Sequence, residues 1–484
     1  MKKFKWSLLF VMLSIFTLVA CTNNEDPYIY EENGYLTEVE ENRAEVGPNG
    51  LPLIYLTEEA RDIALEDFDY LSDLLLENVP SQVVLERHFG VPLELVLAFM
   101  RENIYNMEPI ESLHFIIMGE DEPSDEMPTE ARALAAEYLS SVLLWLTFDL
   151  EGLGHLGPTP LMGFTEALEI HLAVLHQMEI IDGRIMINDE DNGDARTVPW
   201  LQRRADAFSA EASLWFYDIS LADIDLYREL EDFGFREDGN VTTEIIEEGR
   251  IAYFHIESFM NNRAFDSEIL FPFYEEVQDF EHLIIDLRGN SGGTRAYLSY
   301  IISMLIDEPV EASYHEFLMA GSLVYRELED GATVSDEDEE VEILLATNFI
   351  KEHDLPYFNE ADLDILQYVV TWPLKFEPRE DNIPFAGKIW ILVDGYSASL
   401  SELMAMIAID SGFATVVGEP TAGITPAMHI YTSLPNTGIV YRMDIGYIID
   451  PQGRSLEEYG VIPDIVIDSG SDALEVVMGL ISKE

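Results

Sequence analysis

The same local order occurs twice in the second half of the chain, and it restricts the fold more than any other feature. A short apolar run is followed by a polar loop, and the loop by apolar residues at helical spacing. The first copy is Leu283-Ile284-Ile285-Asp286-Leu287, then Arg288-Gly289-Asn290-Ser291-Gly292-Gly293, then a helical run to Ile306. The second, about a hundred residues on, is Ile389 to Val393, bounded by Asp394-Gly395. Ser397-Ala398-Ser399-Leu400-Ser401-Glu402 follows, with Leu400, Leu403, Met404 and Ile407 at helical spacing. Apolar runs this short, closed by turn residues, read as buried strands. Ile251 to Ile256 is a further strand candidate. Alternation of strand and helix implies an α/β domain with its loops gathered at one end of the strands.

Both loops carry residues suited to chemistry. Ser399 and Glu402 stand three apart, the spacing of a helix cap and its box, so a capping role accounts for them without catalysis. A serine in a sharp strand-to-helix turn is also held out from a rigid frame, beside the unpaired amides of the helix, where an anion is favoured. The other loop lacks the Gly-Lys-Ser/Thr of a phosphate loop and the Gly-x-Gly-x-x-Gly of a dinucleotide site. It does contain Gly-x-Ser-x-Gly at Gly289 to Gly293, which makes Ser291 a second nucleophile candidate.

These segments resemble the C-terminal processing peptidase and tricorn-core serine peptidase family, from about Gly249 to the end of the chain. The family pattern Ser-Ala-Ser-x-Ser-Glu has its nucleophile at the second serine, here Ser399. Gly418-Glu419-Pro420-Thr421-x-Gly423 is similar to the family's next motif, and the Arg288 loop to its Asp-x-Arg-x-Asn-x-Gly-Gly. The resemblance implies a crotonase-like (ClpP/crotonase spiral) core and an oxyanion hole from the amides of Gly292 and Leu400. Glycine suits such a place because backbone must come close to the substrate carbonyl. The processing branch places a lysine after the second motif; here that position is Ile424, and no lysine occurs between Ser399 and Lys483. The base is then a histidine, as in the tricorn branch, or the scaffold is inactive. Gly152-Leu153-Gly154-His155 resembles the tricorn Ser-His element, which makes His155 the general base; His255 is the second candidate. Glu-x-x-Gly-Val-x-Pro-Asp is matched from Glu457, which would orient the histidine, with Glu458 adjacent.

The first half has another texture. Leu65, Phe68, Leu71 and Leu75, then Leu93, Val96, Phe99 and Met100, fall at spacings of three and four. Thr129 to Leu150 and Phe164 to Met178 are further helix candidates. Residues 57–240 therefore read as a mainly helical N-terminal domain ahead of an α/β peptidase core at 241–484. Lys2, Lys3 and Lys5 precede an apolar run to Ala20, a signal-peptide layout for residues 1–20. Leu18-Val19-Ala20-Cys21 resembles a bacterial lipobox, so Cys21, the single cysteine, is expected to be lipidated. Residues 21–56 read as an acidic tether. A net charge of −67, from 93 acidic and 26 basic residues, opposes binding to nucleic acid and to anionic lipid.

Several patterns lead nowhere. Asn188 to Asp194 suggests a calcium loop, but its twelfth position is Pro199, so a solvated turn is the better reading. His171 and His176 do not share a helix face. Leu434-Pro435-Asn436-Thr437-Gly438 matches a sorting signal without its apolar span and reads as a turn between strands. The expectation is a serine peptidase acting on peptides or unfolded protein ends, anchored by lipid to the cell membrane on the extracytoplasmic side. No metal or organic cofactor is implied. The alternative is an inactive peptide- or ligand-binding lipoprotein on the same scaffold.

Overall fold

A computed structural model describes residues 47–48, 51–112, 129–149, 156–158, 178–181, 184–188, 195–197, 240–259, 263–324, 343–425, 427, 429–468 and 470–483. Its strands begin with β1 (Leu53–Ile54), β2 (Ile110–Glu111), β3 (Gly157–Pro158), β4 (Met178–Ile181), β5 (Arg184–Asn188) and β6 (Ala195–Thr197). They continue with β7 (Val241–Glu247), β8 (Ile251–Ile256), β9 (His282–Asp286), β10 (Val310–Leu318), β11 (Ile343–Leu345) and β12 (Tyr368–Phe376). The last are β13 (Lys388–Val393), β14 (Thr415–Gly418), β15 (His429–Ser433), β16 (Val440–Asp444), β17 (Gly446–Ile449) and β18 (Ile465–Val466).

The central sheet has the order β18-β14-β13-β9-β8-β7, parallel throughout except for the antiparallel β7 edge. Parallel strands covered on both faces read as continuous apolar runs, and β13 is one. Its side chains alternate between two cores. Ile389, Ile391 and Val393 join the core that holds Leu403, Met404 and Ile407 of the Leu400–Ser411 helix. Trp390 and Leu392 join the opposite one, closed by Ala473, Val477 and Ile481 of the C-terminal helix. Both loops singled out by their sequence leave the carboxyl ends of neighbouring strands, β9 and β13.

A second, antiparallel sheet runs β11-β12-β10-β17, and a smaller one runs β15-β16-β3. The Glu58–Asn78, Leu93–Tyr105 and Glu130–Asp149 helices match the expected helical periodicity closely. Thr57 caps the first by accepting from the Ala60 amide at 3.2 Å. Its Phe68, Leu71 and Leu75 share one hydrophobic cluster with Tyr138 and Leu143 and with Val440, Tyr441 and Met443 of β16.

The expected helix from Phe164 lies outside the described residues up to its last position, Met178, which opens β4; β4 pairs antiparallel with β5 up to Ile181 opposite Arg184. The two apolar runs separated by Asp182-Gly183 carry the composition of a hairpin. The sorting-like Leu434 segment is the turn between β15 and β16. Buried Asp67, on the first helix, accepts from the amides of Asn436 at 2.9 Å and Thr437 at 2.7 Å.

Candidate active site

Two strand-end loops are stitched together before any reactive group is placed. Asp394 Oδ1 accepts from the amides of Tyr396 at 3.0 Å and Ser397 at 3.1 Å in its own turn, and from Gly289 at 3.0 Å across the gap. The Ser397 hydroxyl donates to the Leu287 carbonyl at 2.8 Å. The Ala398 amide donates to the Asn290 carbonyl at 3.0 Å. Ser399 follows at φ 53° and ψ −114°, one of two described non-glycine residues with positive φ. Such a conformation costs roughly 1–3 kcal/mol and persists only where its surroundings enforce it. Here the Ser399 amide donates to the Ile424 carbonyl at 2.7 Å and to Glu402 Oε2 at 3.1 Å.

Gly292 lies directly against this serine. Its φ is +99°, and a Cβ built on it would stand 2.8 Å from both the Leu400 amide nitrogen and Ser399 Cβ. The expectation that Gly292 donates to an oxyanion needs correction, because its amide already donates to Asn290 Oδ1 at 2.8 Å. What the glycine supplies is the missing side chain, which lets the two loops touch. The bridge to Phe259 uses the Gly292 carbonyl and the Thr294 amide, so the Gly293 amide faces the other way. Leu400 opens its helix, where amides have no intrahelical acceptor.

Two buried carboxyls hold the segment that backs the serine turn, Glu402 at Thr421 and Gly423 and Glu457 at Thr425. Glu402 accepts from Thr421 Oγ1 at 2.6 Å and the Gly423 amide at 2.8 Å as well as from Ser399. Burial pushes its pKa up to about 7 against the opposing effect of these donors. Beyond the cap-and-box role expected of it, it ties the serine turn to the Gly418–Gly423 segment. Glu457 is buried on the far side of that segment. It accepts from Thr425 Oγ1 at 3.0 Å, Ser455 Oγ at 2.9 Å and the Ile448 amide at 3.3 Å. Burial pushes it up to about 8, the donors again opposing. A Cβ on Gly423 would meet the Leu456 and Glu457 carbonyls at 2.9 and 3.1 Å, so this segment is a thin wall between the serine turn and the Glu457 turn. Glu458 turns the other way, to Arg87 at 2.6 Å.

His155 and Cys21 lie outside the described residues. The chain is described again from Leu156, and Gly157-Pro158 pair with Arg442 and Tyr441 of β16. His255 is on β8 with Nε2 3.3 Å from the Arg288 carbonyl. Ile424, at the lysine position, keeps a side chain 40% exposed while its carbonyl holds Ser399. Ser291 has no comparable strand-to-helix turn, since the next helix starts at Arg295 with Thr294 as its cap.

The model of peptidase family S41 matches residues 250–467, a span that contains both loops, Ser399, Glu402 and Glu457. Over these residues the chain is similar to peptidase family S41. A Chlamydia pneumoniae protein is 25% identical to this chain over 210 residues, which is 39% of the chain and 33% of that protein. A Chlamydia trachomatis protein is 24% identical over 204 residues, 38% of the chain and 34% of its own length. The chain thus matches about a third of the length of these curated relatives. Among solved structures, mature CPAF complexed with lactacystin aligns at TM-score 0.44 and 15% identity, covering 88% of this chain and 97% of that one. The photosystem II D1 C-terminal processing protease aligns at TM-score 0.34 and 14% identity, covering 85% and 94%. His155 and Arg87 lie N-terminal to the matched S41 span.

Proposed function

We propose that the chain is a serine peptidase that hydrolyses peptide bonds of peptides or unfolded protein ends. The observation that carries this reading is Ser399, held at positive φ against Gly292 at the start of a helix. In the reaction, Ser399 Oγ attacks the scissile carbonyl carbon as His155 takes the hydroxyl proton. The C=O π pair moves to oxygen, and the oxyanion is held by the amides of Leu400 and of Gly293, next to Gly292. On collapse the C–N bond breaks, and the leaving amine takes the proton from the imidazolium. Water then adds to the acyl-enzyme by the same route, releasing the acid and restoring the serine. Glu457 orients the imidazole. The parallel sheet with its strand–loop–helix units supports a crotonase-like core. The Glu58–Asn78, Gln82–Phe89, Leu93–Tyr105 and Glu130–Asp149 helices support a mainly helical N-terminal domain over 57–240, and the signal-like leader before Cys21 supports a lipid anchor on the extracytoplasmic side of the cell membrane.

A fluorophosphonate probe tests the mechanism. It labels the wild type and fails to label Ser399→Ala, and casein cleavage is lost in Ser399→Ala and His155→Ala. Labelling or cleavage that survives in Ser399→Ala removes the proposal.

A further inference from the structure

The turn that carries Glu457 is a single helical turn, Leu456–Tyr459, and such a turn has little stability of its own. Its inner side is held by Ser455, whose hydroxyl donates to Glu457 Oε2 at 2.9 Å. Its outer side is held from a distant part of the sequence. Arg87, in the last turn of the Gln82–Phe89 helix, donates through Nε and Nη2 to one oxygen of Glu458 at 2.9 and 2.6 Å. The same guanidinium donates through Nη1 to Asp362 Oδ1 at 2.6 Å, and Asp362 Oδ2 accepts from the Tyr447 hydroxyl at 2.8 Å. Tyr447 is in β17, one residue before the Ile448 amide that donates to Glu457 Oε1 at 3.3 Å. Arg87 therefore grips both supports of Glu457: the turn from which it projects and the strand that feeds it a hydrogen bond.

The pair is not an ordinary surface ion pair. The Asp362 side chain is 3% exposed and that of Glu458 14%, so the charges meet where water screens them weakly. A planar guanidinium with donors in fixed directions suits a three-sided hold of this kind better than a flexible ammonium. Glu457 and Glu458 are neighbours on one helical turn and point about 100° apart, so the position of Glu458 sets that of Glu457.

We infer that Arg87, outside the S41 span, is a positioning residue for the peptidase reaction, acting through Glu458 and the 456–459 turn to aim Glu457 at the Ser399 site. The inference rests on the proposed role of Glu457.

The test compares full-length Arg87→Met, Arg87→Lys, Glu458→Gln, Glu457→Gln and the Arg87→Met/Glu457→Gln double variant for hydrolysis of fluorescein-labelled casein. Misplacing a group at a reaction centre by an ångström costs up to about a hundredfold. Arg87→Met and Glu458→Gln should each lower kcat on the order of tenfold or more, with KM within about twofold of wild type. Arg87→Lys should recover part of the loss. Adding Arg87→Met to Glu457→Gln should cost nothing further, because the arginine acts through the residue already removed. Glu458→Gln leaves the Arg87–Asp362 pair intact, so it carries the test if Arg87→Met does not fold. Full kcat in Glu458→Gln and Arg87→Met beside a reduced kcat in Glu457→Gln overturns the inference alone, as do losses that multiply in the double variant. Full kcat in Glu457→Gln overturns the inference together with the role on which it rests.

Discussion

Replacing Glu457 by glutamine should make the fold more stable at neutral and alkaline pH. Burial raises this carboxyl from the ordinary 4.5 to about 8, so the folded chain keeps a proton that the unfolded chain gives up. Where the folded state binds more protons, stability falls as pH rises. The stabilisation by the proton is whole below about 4.5 and is lost as pH climbs through about 8. The full interval is worth on the order of 5 kcal/mol, of which about 3 kcal/mol falls between pH 5 and pH 8. Glutamine has nothing to titrate, and it can keep the contacts. Its oxygen accepts from Thr425 and Ile448, and its amide donates to Ser455, whose hydroxyl can rotate to accept. Urea unfolding followed by tryptophan fluorescence at pH 5, 6.5 and 8 reads the difference, since Trp390 is buried in β13. The gap between variant and wild type should widen in favour of glutamine by about 3 kcal/mol over that range. Parallel pH dependences, or a gap that grows in favour of glutamate, would mean that the donors outweigh burial and that the carboxyl is ionised in the fold.

Two further substitutions probe the frame. Gly292→Ala should cost on the order of 3 kcal/mol, from a positive φ and a Cβ pressed on Ser399 and Leu400, and should slow fluorophosphonate labelling. An unchanged urea midpoint would show that the loops do not abut. Asp67→Ala leaves the buried amide and hydroxyl of Thr437 and the half-buried amide of Asn436 without this acceptor, and should also cost on the order of 3 kcal/mol. Asp67→Asn should recover part of it; equal midpoints for Asp67→Ala and wild type would refute the grip.

What could be read in advance was local. The apolar runs of β8, β9 and β13 announce themselves because both faces are covered, and the first helices do so through spacings of three and four. Ser399 could be placed at a strand-to-helix turn because capping residues and buried strands leave composition behind. The β4–β5 hairpin was within reach through the apolar runs on either side of Asp182-Gly183. The antiparallel β10–β12 pair, nine residues on each side, was missed because its strands mix polar and aromatic residues without clean alternation. The link from Glu402 to Thr421 and Gly423 could not be read, nor the one from Arg87 to Glu458, 371 positions apart. A long side chain that reaches across the fold leaves no periodicity. That the Gly292 amide is already engaged was equally hidden, since it depends on where Asn290 points its side-chain oxygen.

The hold of Asp67 on the β15–β16 turn sets an order of events during synthesis. The acceptor leaves the ribosome about 370 residues before the amides it serves. At about 5–20 residues per second, that is a wait of roughly 20 to 70 seconds. The Glu130–Asp149 helix emerges early enough to cover one flank of the first helix. Among the described residues the carboxylate of Asp67 accepts only from Asn436 and Thr437 of that turn, so this helix is sealed there only after the hairpin arrives.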